Sequence, residues 1–413
     1  MDQITCRQEA IKRHLMGESV TDICRELKAS RKWFYKWYNR YQSGAPDWYQ
    51  DHSKAPQHKP HKINGEVEQL VLNVRQKLEE TKYAQIGANA IGWHIHKLGG
   101  TPPPVWTINR ILKRNDKILP KKKDRRNKRN VAYTWFTESS YPGHIFQTDI
   151  IGPRYLKGDG RFYGLTTIDI FSHLVWCVPI RSKDDDSIVR ALLTTWQSIG
   201  VPDYQQFDNE LSFLGSNRYP HSLGKVLKLC LAAGIQPIFI PAGEPWRNGT
   251  IEHFNFTFDD KLFRAERFKD YVHFKERLLD FLIFHNENHV YSANHGKTPN
   301  QVINKHDIKL IKLADDFNFS ENQTLPYDSY IHFIRFIRSD LKLRIRGESF
   351  IMPEQAMYQY VKATLQTKWH LMTVYIDDVT QIDHFPYLLP NFNQENPELV
   401  IGSLKRHIDK LKV

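Results

Sequence analysis

Apolar positions recur at helical spacing along the front of the chain, and strand-like runs and alternation take over in the middle. In residues 4–43, Val20, Ile23, Cys24 and Leu27 make one apolar stripe. Lys28-Ala29-Ser30 reads as a short turn with Ser30 as the next cap, and Phe34 and Trp37 close the core. This is helix-turn-helix spacing, and it sets Arg31, Lys32, Tyr35 and Lys36 on the outer face of the second helix, where bases are read. An ordinary three-helix bundle with a basic face satisfies the same pattern. Residues 47–61, rich in Pro, His and Lys, read as a linker. A second helical unit follows over 65–117: Val67, Leu70, Val71 and Val74, then Ile86, Ala90, Ile91 and Ile95, then Val105, Ile108, Ile111 and Leu112. It predicts a second helix-turn-helix, with Pro102-Pro103-Pro104 as the start signal of its last helix.

From residue 142 the period changes. Strands are predicted at 144–152, which carries Asp149, and at 162–170, 174–180, 204–207 and 236–240, with Asp208 at the end of the fourth. Helices are predicted at 182–199 and 223–233, and a third carries Ile251, Phe254, Phe258 and Leu262 on one face. The order βββαβαβα predicts an α/β core: a mixed five-stranded sheet with helices on both faces. In the turn before the third helix, Asn248 is a natural N-cap and Gly249 allows close backbone packing. Glu252 follows in its first turn, at the border of the buried face. Asp184-Asp185-Asp186 lies in another first turn, where acids suit the helix dipole without a metal. A further helical stretch passes through Leu278, Leu282 and Phe284, and residues 295–316 read as a connector. Short strands over 330–378 predict a small all-β barrel. Its exposed Arg335, Arg338, Lys342, Arg344 and Arg346 either grip a nucleic-acid backbone or form a solvated sheet face. The tail from 385 is poorly patterned apart from a short basic helix at 404–411.

Charge adds a partner to this picture. The 413 residues hold 58 Lys and Arg against 46 Asp and Glu, a net +12, which favours a polyanion such as nucleic acid. Residues 113–130 alone carry ten Lys or Arg against two Asp, centred on Lys121, Lys122, Lys123, Arg125 and Arg126. Such a run is usually a solvated linker; between two candidate DNA-binding parts it is expected to lie along phosphates and to supply affinity, not sequence choice. Cys6, Cys24, Cys177 and Cys230 are scattered, with no C-x-x-C pair, so neither a zinc knuckle nor a disulfide framework is indicated. The N-terminus has no apolar signal core, and nothing approaches the roughly 20 apolar residues of a membrane span. The chain reads as soluble and intracellular, with no membrane partner.

In a sheet of this order the first and fourth strands are central neighbours. Asp149 and Asp208 then open on one crevice, and Glu252 comes in from the helix after the fifth strand. Three acids so placed repel one another unless divalent cations neutralise them, and oxygen-only ligands suit Mg²⁺ or Mn²⁺. Two such ions roughly 3.5–4 Å apart clamp the attacking and leaving oxygens of an in-line phosphoryl displacement.

These residues resemble the integrase-core transposases of the three-carboxylate (DDE) superfamily, with the ribonuclease H-like fold, and are most similar to bacterial insertion-sequence transposases with an N-terminal helix-turn-helix. The resemblance rests on an ordered set over about residues 142–300: Pro142-Gly143-His144-Ile145-Phe146-Gln147-Thr148-Asp149, Thr167-Ile168-Asp169-Ile170-Phe171-Ser172, Phe207-Asp208-Asn209-Glu210, Asn248 to Asn255, and His285-Asn286-Glu287 to Lys297-Thr298-Pro299. It implies Asp149, Asp208 and Glu252 as catalytic metal carboxylates and Asn248-Gly249 as the turn before the catalytic helix. Asp169 matches a structural position, and His253 stands where the family often has Arg. It further implies Mg²⁺ or Mn²⁺, two ions per site, and a transposase that binds transposon ends through residues 1–115 and pairs them in a multimer. Such an enzyme frees a 3′-OH and joins it to target double-stranded DNA in the bacterial cytoplasm, at the nucleoid. An ATPase helper is conceivable for such enzymes. Two departures stand out: 43 residues separate Asp208 from Glu252, more than the family's usual gap, and Glu210 occupies a place usually held by Gly. The wide gap is assigned to a loop at 211–220. The expected organisation is 1–46 helix-turn-helix, 47–62 linker, 63–117 second helix-turn-helix, 118–141 basic linker, 142–294 catalytic core, 295–326 connector, 327–382 barrel and 383–413 tail. Two other readings stand beside it: a catalytically silent DNA-binding regulator built on the same skeleton, and a ribonuclease H-like nuclease.

Overall fold

Ser30 caps as its position predicts, and Ser19 does the same for the helix before it. The Ser19 hydroxyl accepts from the Asp22 N–H (3.2 Å) and the Ser30 hydroxyl from the Trp33 N–H (3.1 Å). They start α2 (Val20–Glu26) and α3 (Arg31–Gln42), which follow α1 (Gln3–Leu15). Ala10, Ile11, Ile23, Cys24 and Phe34 bury one another, and Trp37 is buried under the Arg7 guanidinium at 3.9 Å. The computed structural model describes residues 2–51, 63–118, 133, 135–136, 138–306, 310–321, 325–326 and 328–389. Lys121, Lys122, Lys123, Arg125 and Arg126, and the expected helix at 404–411, lie outside them. The chain forms two compact units, 1–64 and 65–413.

The second unit opens with α4 (Gly65–Glu80), α5 (Ala88–Lys97) and α6 (Val105–Arg114), closed over Val71, Leu78, Ile91, Ile95, Ile108 and Ile111. Its sheet has β1 (Ile145–Leu156), β2 (Gly160–Asp169) and β3 (Val175–Ile180) in antiparallel order. On the other side of β1, β4 (Tyr204–Phe207) and then β5 (Gln236–Phe239) add in parallel. Strand alternation sends neighbours to opposite faces. Ile150 and Leu165 pack under α7 (Asp185–Ile199) and α9 (Lys225–Ala232), with Leu192, Trp196 and Leu227. Ile151, Phe162 and Ile168 pack under α10 (Gly249–Phe258) and α11 (Tyr271–Asn288), where Ile251, Phe254, Phe258 and Leu262 are all fully buried. Asp184 caps α7, accepting from the Ser187 N–H at 2.8 Å, so the acidic triplet serves the helix start.

The sheet does not stop at five strands. It has nine, in the order β11-β10-β9-β6-β5-β4-β1-β2-β3. The added strands are β6 (Tyr330–Phe336), β9 (Tyr360–Gln366), β10 (Leu371–Tyr375) and β11 (Gln381–Pro386). β6 joins β5 in parallel through Ile238↔His332 and Phe239↔Phe333. The strands assigned to a small barrel therefore continue the core sheet, and among the described residues no pairing closes them on themselves. The reason is burial: β6 is covered on both faces from Ile331 to Arg335, which an edge strand of a separate module would not be, and its pairing removes the open edge of β5. A separate hairpin joins β7 (Lys342–Ile345) and β8 (Glu348–Ile351). The expected connector also contains a helix, α12 (Pro299–Lys305), started by a capping box between Thr298 and Gln301.

The three helices α4–α6 are bound to the core largely by polar contacts. The Tyr83 hydroxyl meets Glu266 (2.6 Å) and Arg277 (2.5 Å), Gln85 bridges His289 (2.7 Å) and the Val290 N–H (2.8 Å), and Asn89 donates to Ser292 (2.7 Å).

Candidate active site

Two short peptides with the same spacing build the site: Gln147-Thr148-Asp149 on β1 and Gln206-Phe207-Asp208 at the end of β4. The strands are parallel, and Gln147 pairs with Gln206 in register. Two residues further along come Asp149, within β1, and Asp208, just past the end of β4, close enough for the charge of Asp149 to act on Asp208. Each acid also shares a face with its glutamine. The glutamines dock what comes next. Gln147 and Gln206 both donate to the Arg247 carbonyl (3.2 and 3.3 Å), Gln206 donates to Oδ1 of Asn248 (2.8 Å), and the Ile251 N–H donates to Gln147 (3.2 Å). The first turn of α10, with Glu252, is thereby fixed to the strands that carry the other two acids.

This corrects the expected turn. Asn248 makes no side-chain cap; it closes a 3-10 turn, Pro245–Asn248, and its amide oxygen is taken by Gln206. Gly249 has a helical φ of −57°, and nothing lies within 4 Å of where a Cβ would stand, so close packing is not its role. That part of the first turn faces solvent.

Asp149 is held by Asn255 of α10 (Nδ2 to Oδ2, 2.8 Å) and by the Ile150 N–H (2.9 Å). Burial raises its pKa, and the charges of Glu210 and Glu252 push it further. Asp208 accepts from the Glu210 N–H (2.9 Å). Its pKa is raised by burial, then by the charges of Asp149 and Glu210, against the pull of Lys183. Glu252 is exposed, and partial burial raises its pKa. The Glu210 side chain pairs with Lys183 at 2.6 Å, so the residue in the glycine place braces the loop beside Asp208. Asp169 is fully buried under hydrogen bonds from Ser172, Phe171 and Gly143, and burial lifts its carboxyl to about 6. Among the described residues, no three His, Cys, Asp or Glu side chains are grouped as a ready cation cage.

The wide gap between Asp208 and Glu252 is a packed excursion. The short helix α8 (Leu211–Leu214) buries Phe213 and Leu214, and Arg346 donates to the Ser222 carbonyl at 2.6 Å. Arg346 and Arg335, expected on an exposed face, are both buried. Arg31, Lys32, Tyr35 and Lys36 are exposed along one side of α3, with Arg31 donating to Thr21 at 2.6 Å. His253 is exposed beside a cavity of about 440 Å³ that Gln85, Asn89, Asn109 and His289 also line. Sequence reasoning missed Gln147, Gln206, Asn255 and Lys183; the repeated Gln-x-Asp was the readable signal for the first two.

The three antiparallel strands, the parallel addition of β4 and β5 beside β1, and the helices on both faces define a ribonuclease H-like fold. Residues 233–299 match the integrase core domain family, and residues 7–69 match the winged helix-turn-helix family. Comparison with the curated proteins finds no match. Among solved structures, the HTLV-2 integrase catalytic core in complex with magnesium aligns at 18% identity and a TM-score of 0.32, over 40% of this chain and 99% of its own. The simian T-cell lymphotropic virus intasome in complex with the PP2A regulatory subunit B56 gamma aligns at 16% identity and a TM-score of 0.33, over 73% of this chain and 92% of its own. The BIV integrase core aligns at 16% identity and a TM-score of 0.31, over 40% of this chain and 95% of its own. Among the described residues, no helix is long and apolar enough to cross a membrane.

Proposed function

We propose that this protein is a DDE transposase that binds the ends of its own element, cleaves a strand and joins the freed 3′-OH to target DNA. The observation that supports the reading is the matched register of Gln147 on β1 and Gln206 on β4, two residues before Asp149 and Asp208, with both glutamines held to the turn that leads into the Glu252 helix. The donor set suits a hard divalent cation. It is carboxylate only, and Asp149 and Asp208 are both raised in pKa by burial and like charge, a cost that a cation relieves. Asp149, Asp208 and Glu252 would hold Mg²⁺ or Mn²⁺, which supplies charge neutralisation and activation of an oxygen nucleophile. Asn255 orients Asp149, the Glu210 N–H orients Asp208, and the Gln147–Gln206 pair sets the reach of Glu252. Arg31, Lys32, Tyr35 and Lys36 on α3 would meet the DNA end.

The test is Asp149→Asn in the full chain. It should abolish Mg²⁺-dependent joining of an end duplex to target DNA and leave end binding intact; joining at the parental rate refutes the assignment. A second reading is a DNA-binding regulator without catalysis, which needs only the exposed Arg31, Lys32, Tyr35 and Lys36 of α3. End binding with no strand cleavage in either Mg²⁺ or Mn²⁺ would select it.

A further inference from the structure

Burying a guanidinium is costly unless its donors find acceptors. Arg335 of β6 is 8% exposed, and none of its hydrogen-bond acceptors is a carboxylate. Its Nη1 donates to the carbonyls of Ile240 (3.0 Å) and Ile334 (2.8 Å), and its Nε to the carbonyl of Arg344 (3.1 Å). Its Nη2 donates to Oδ1 of Asn209 (2.8 Å), the residue after Asp208. Asn209 in turn donates to the Ile240 carbonyl at 2.6 Å. The loop behind the second acid is thus tied at two points to the end of β5 and to β6. Burial lowers the Arg335 pKa to about 10, so the cation stays charged at neutral pH.

A second strap reaches the third acid. The Tyr360 hydroxyl of β9 donates to Oε1 of Glu244 (2.6 Å), whose Oε2 accepts from Nε of Arg247 (3.0 Å). The Arg247 guanidinium lies 4.2 Å from the Tyr133 ring and 5.2 Å from the Tyr360 ring. Arg247 is the residue whose carbonyl both glutamines hold.

We infer that the C-terminal strands are part of the catalytic unit: Arg335 and Tyr360 are positioning residues that hold the loops bearing Asp208 and Glu252 in place for cation binding. Neither touches the reacting atoms. A strap of this kind sets where a carboxylate stands, so its loss is read in cation affinity and turnover and not in DNA affinity.

The inference rests on the metal-carboxylate reading, and the experiment separates the two. Mn²⁺ binding to the full chain is followed by electron paramagnetic resonance, alongside joining kinetics and melting. For Arg335→Met and Tyr360→Phe, the Mn²⁺ dissociation constant should rise about fivefold or more and kcat should fall about tenfold, with KM for the DNA end within about twofold. Arg335→Lys should not restore Arg335→Met fully, because a single ammonium cannot reach the separated acceptors that the three nitrogens of the planar fork serve. Tyr360→Phe removes one oxygen and should melt with the parent, so it decides the matter if Arg335→Met fails to fold. Parental Mn²⁺ affinity and kcat in Tyr360→Phe would overturn the inference. Parental Mn²⁺ affinity in Asp208→Asn would instead overturn the metal-carboxylate reading beneath it.

Discussion

The acids reach the crevice in two different ways. Asp149 and Asp208 are carried by adjacent parallel strands, are largely withdrawn from water, and are each tied by hydrogen bonds. Glu252 is carried by a helix, is exposed, and among the described residues accepts no hydrogen bond. A backbone ladder fixes Asp149, and Asp208 follows directly on the end of one. The third depends on a turn, and the turn depends on Gln147, Gln206 and the Arg247 carbonyl. The stiffness of the site therefore lies in the strands, and its adjustability lies in the helix.

The largest effects test whether the two kinds of acid are chemically equal. Asp208→Asn and Glu252→Gln should each lower strand joining by about 10³-fold or more, measured on end duplexes in Mg²⁺. If Glu252→Gln loses less than about tenfold, the helix-borne acid is an accessory to the strand pair. The next effect is on stability. Asp149 and Asp208 have folded pKa values above their unfolded ones, so their contribution is whole below about pH 4 and is lost as pH rises through the folded values. Without metal, the double variant Asp149→Asn/Asp208→Asn should gain on the parent in urea unfolding between acid and neutral pH. Mg²⁺ at a hundred times its dissociation constant should then stabilise the parent alone, by about 2.7 kcal/mol. An Mg²⁺ response equal in the two proteins would place the cation elsewhere.

Smaller effects probe the turn. Gln206→Ala removes the donor to Asn248 and Arg247 and should cost about 1–2 kcal/mol in urea unfolding, with a matching loss of joining. A stability loss with joining untouched would show that the turn does not set Glu252. Gly249→Ala should be the mildest, raising stability by about 0.5 kcal/mol, because φ is helical and the space is open. A fall in joining with that gain would mean that DNA needs the bare backbone there.

The two helical units show how far periodicity carries. Both have a stripe that closes a local core, and both stripes were legible: Ser30 caps where expected, and Ile91, Ile95, Ile108 and Ile111 are buried. Nothing in the stripe of α4–α6 announced that Tyr83, Gln85 and Asn89 would bind the core, because single polar side chains carry no period. The fourth strand, 204–207, was legible to the residue, with Gly200 and Pro202 before it and Asp208 at its end. The extent of the sheet was not: a strand's neighbours are chosen by pairing across some ninety residues, and β6 reads locally like any buried strand.

By itself the sequence determined the elements and the order of the acids, because spacing of apolar residues, caps and strand ends are local matters. It also held, in the twice-written Gln-x-Asp, the device that docks the turn ahead of α10. Tertiary structure alone decided that the two glutamines share a register, that Asn248 accepts from one of them instead of capping its helix, and that Arg335 points inward. Each of these is a choice between partners distant in the chain, and only the folded sheet brings the winning partner within hydrogen-bond reach.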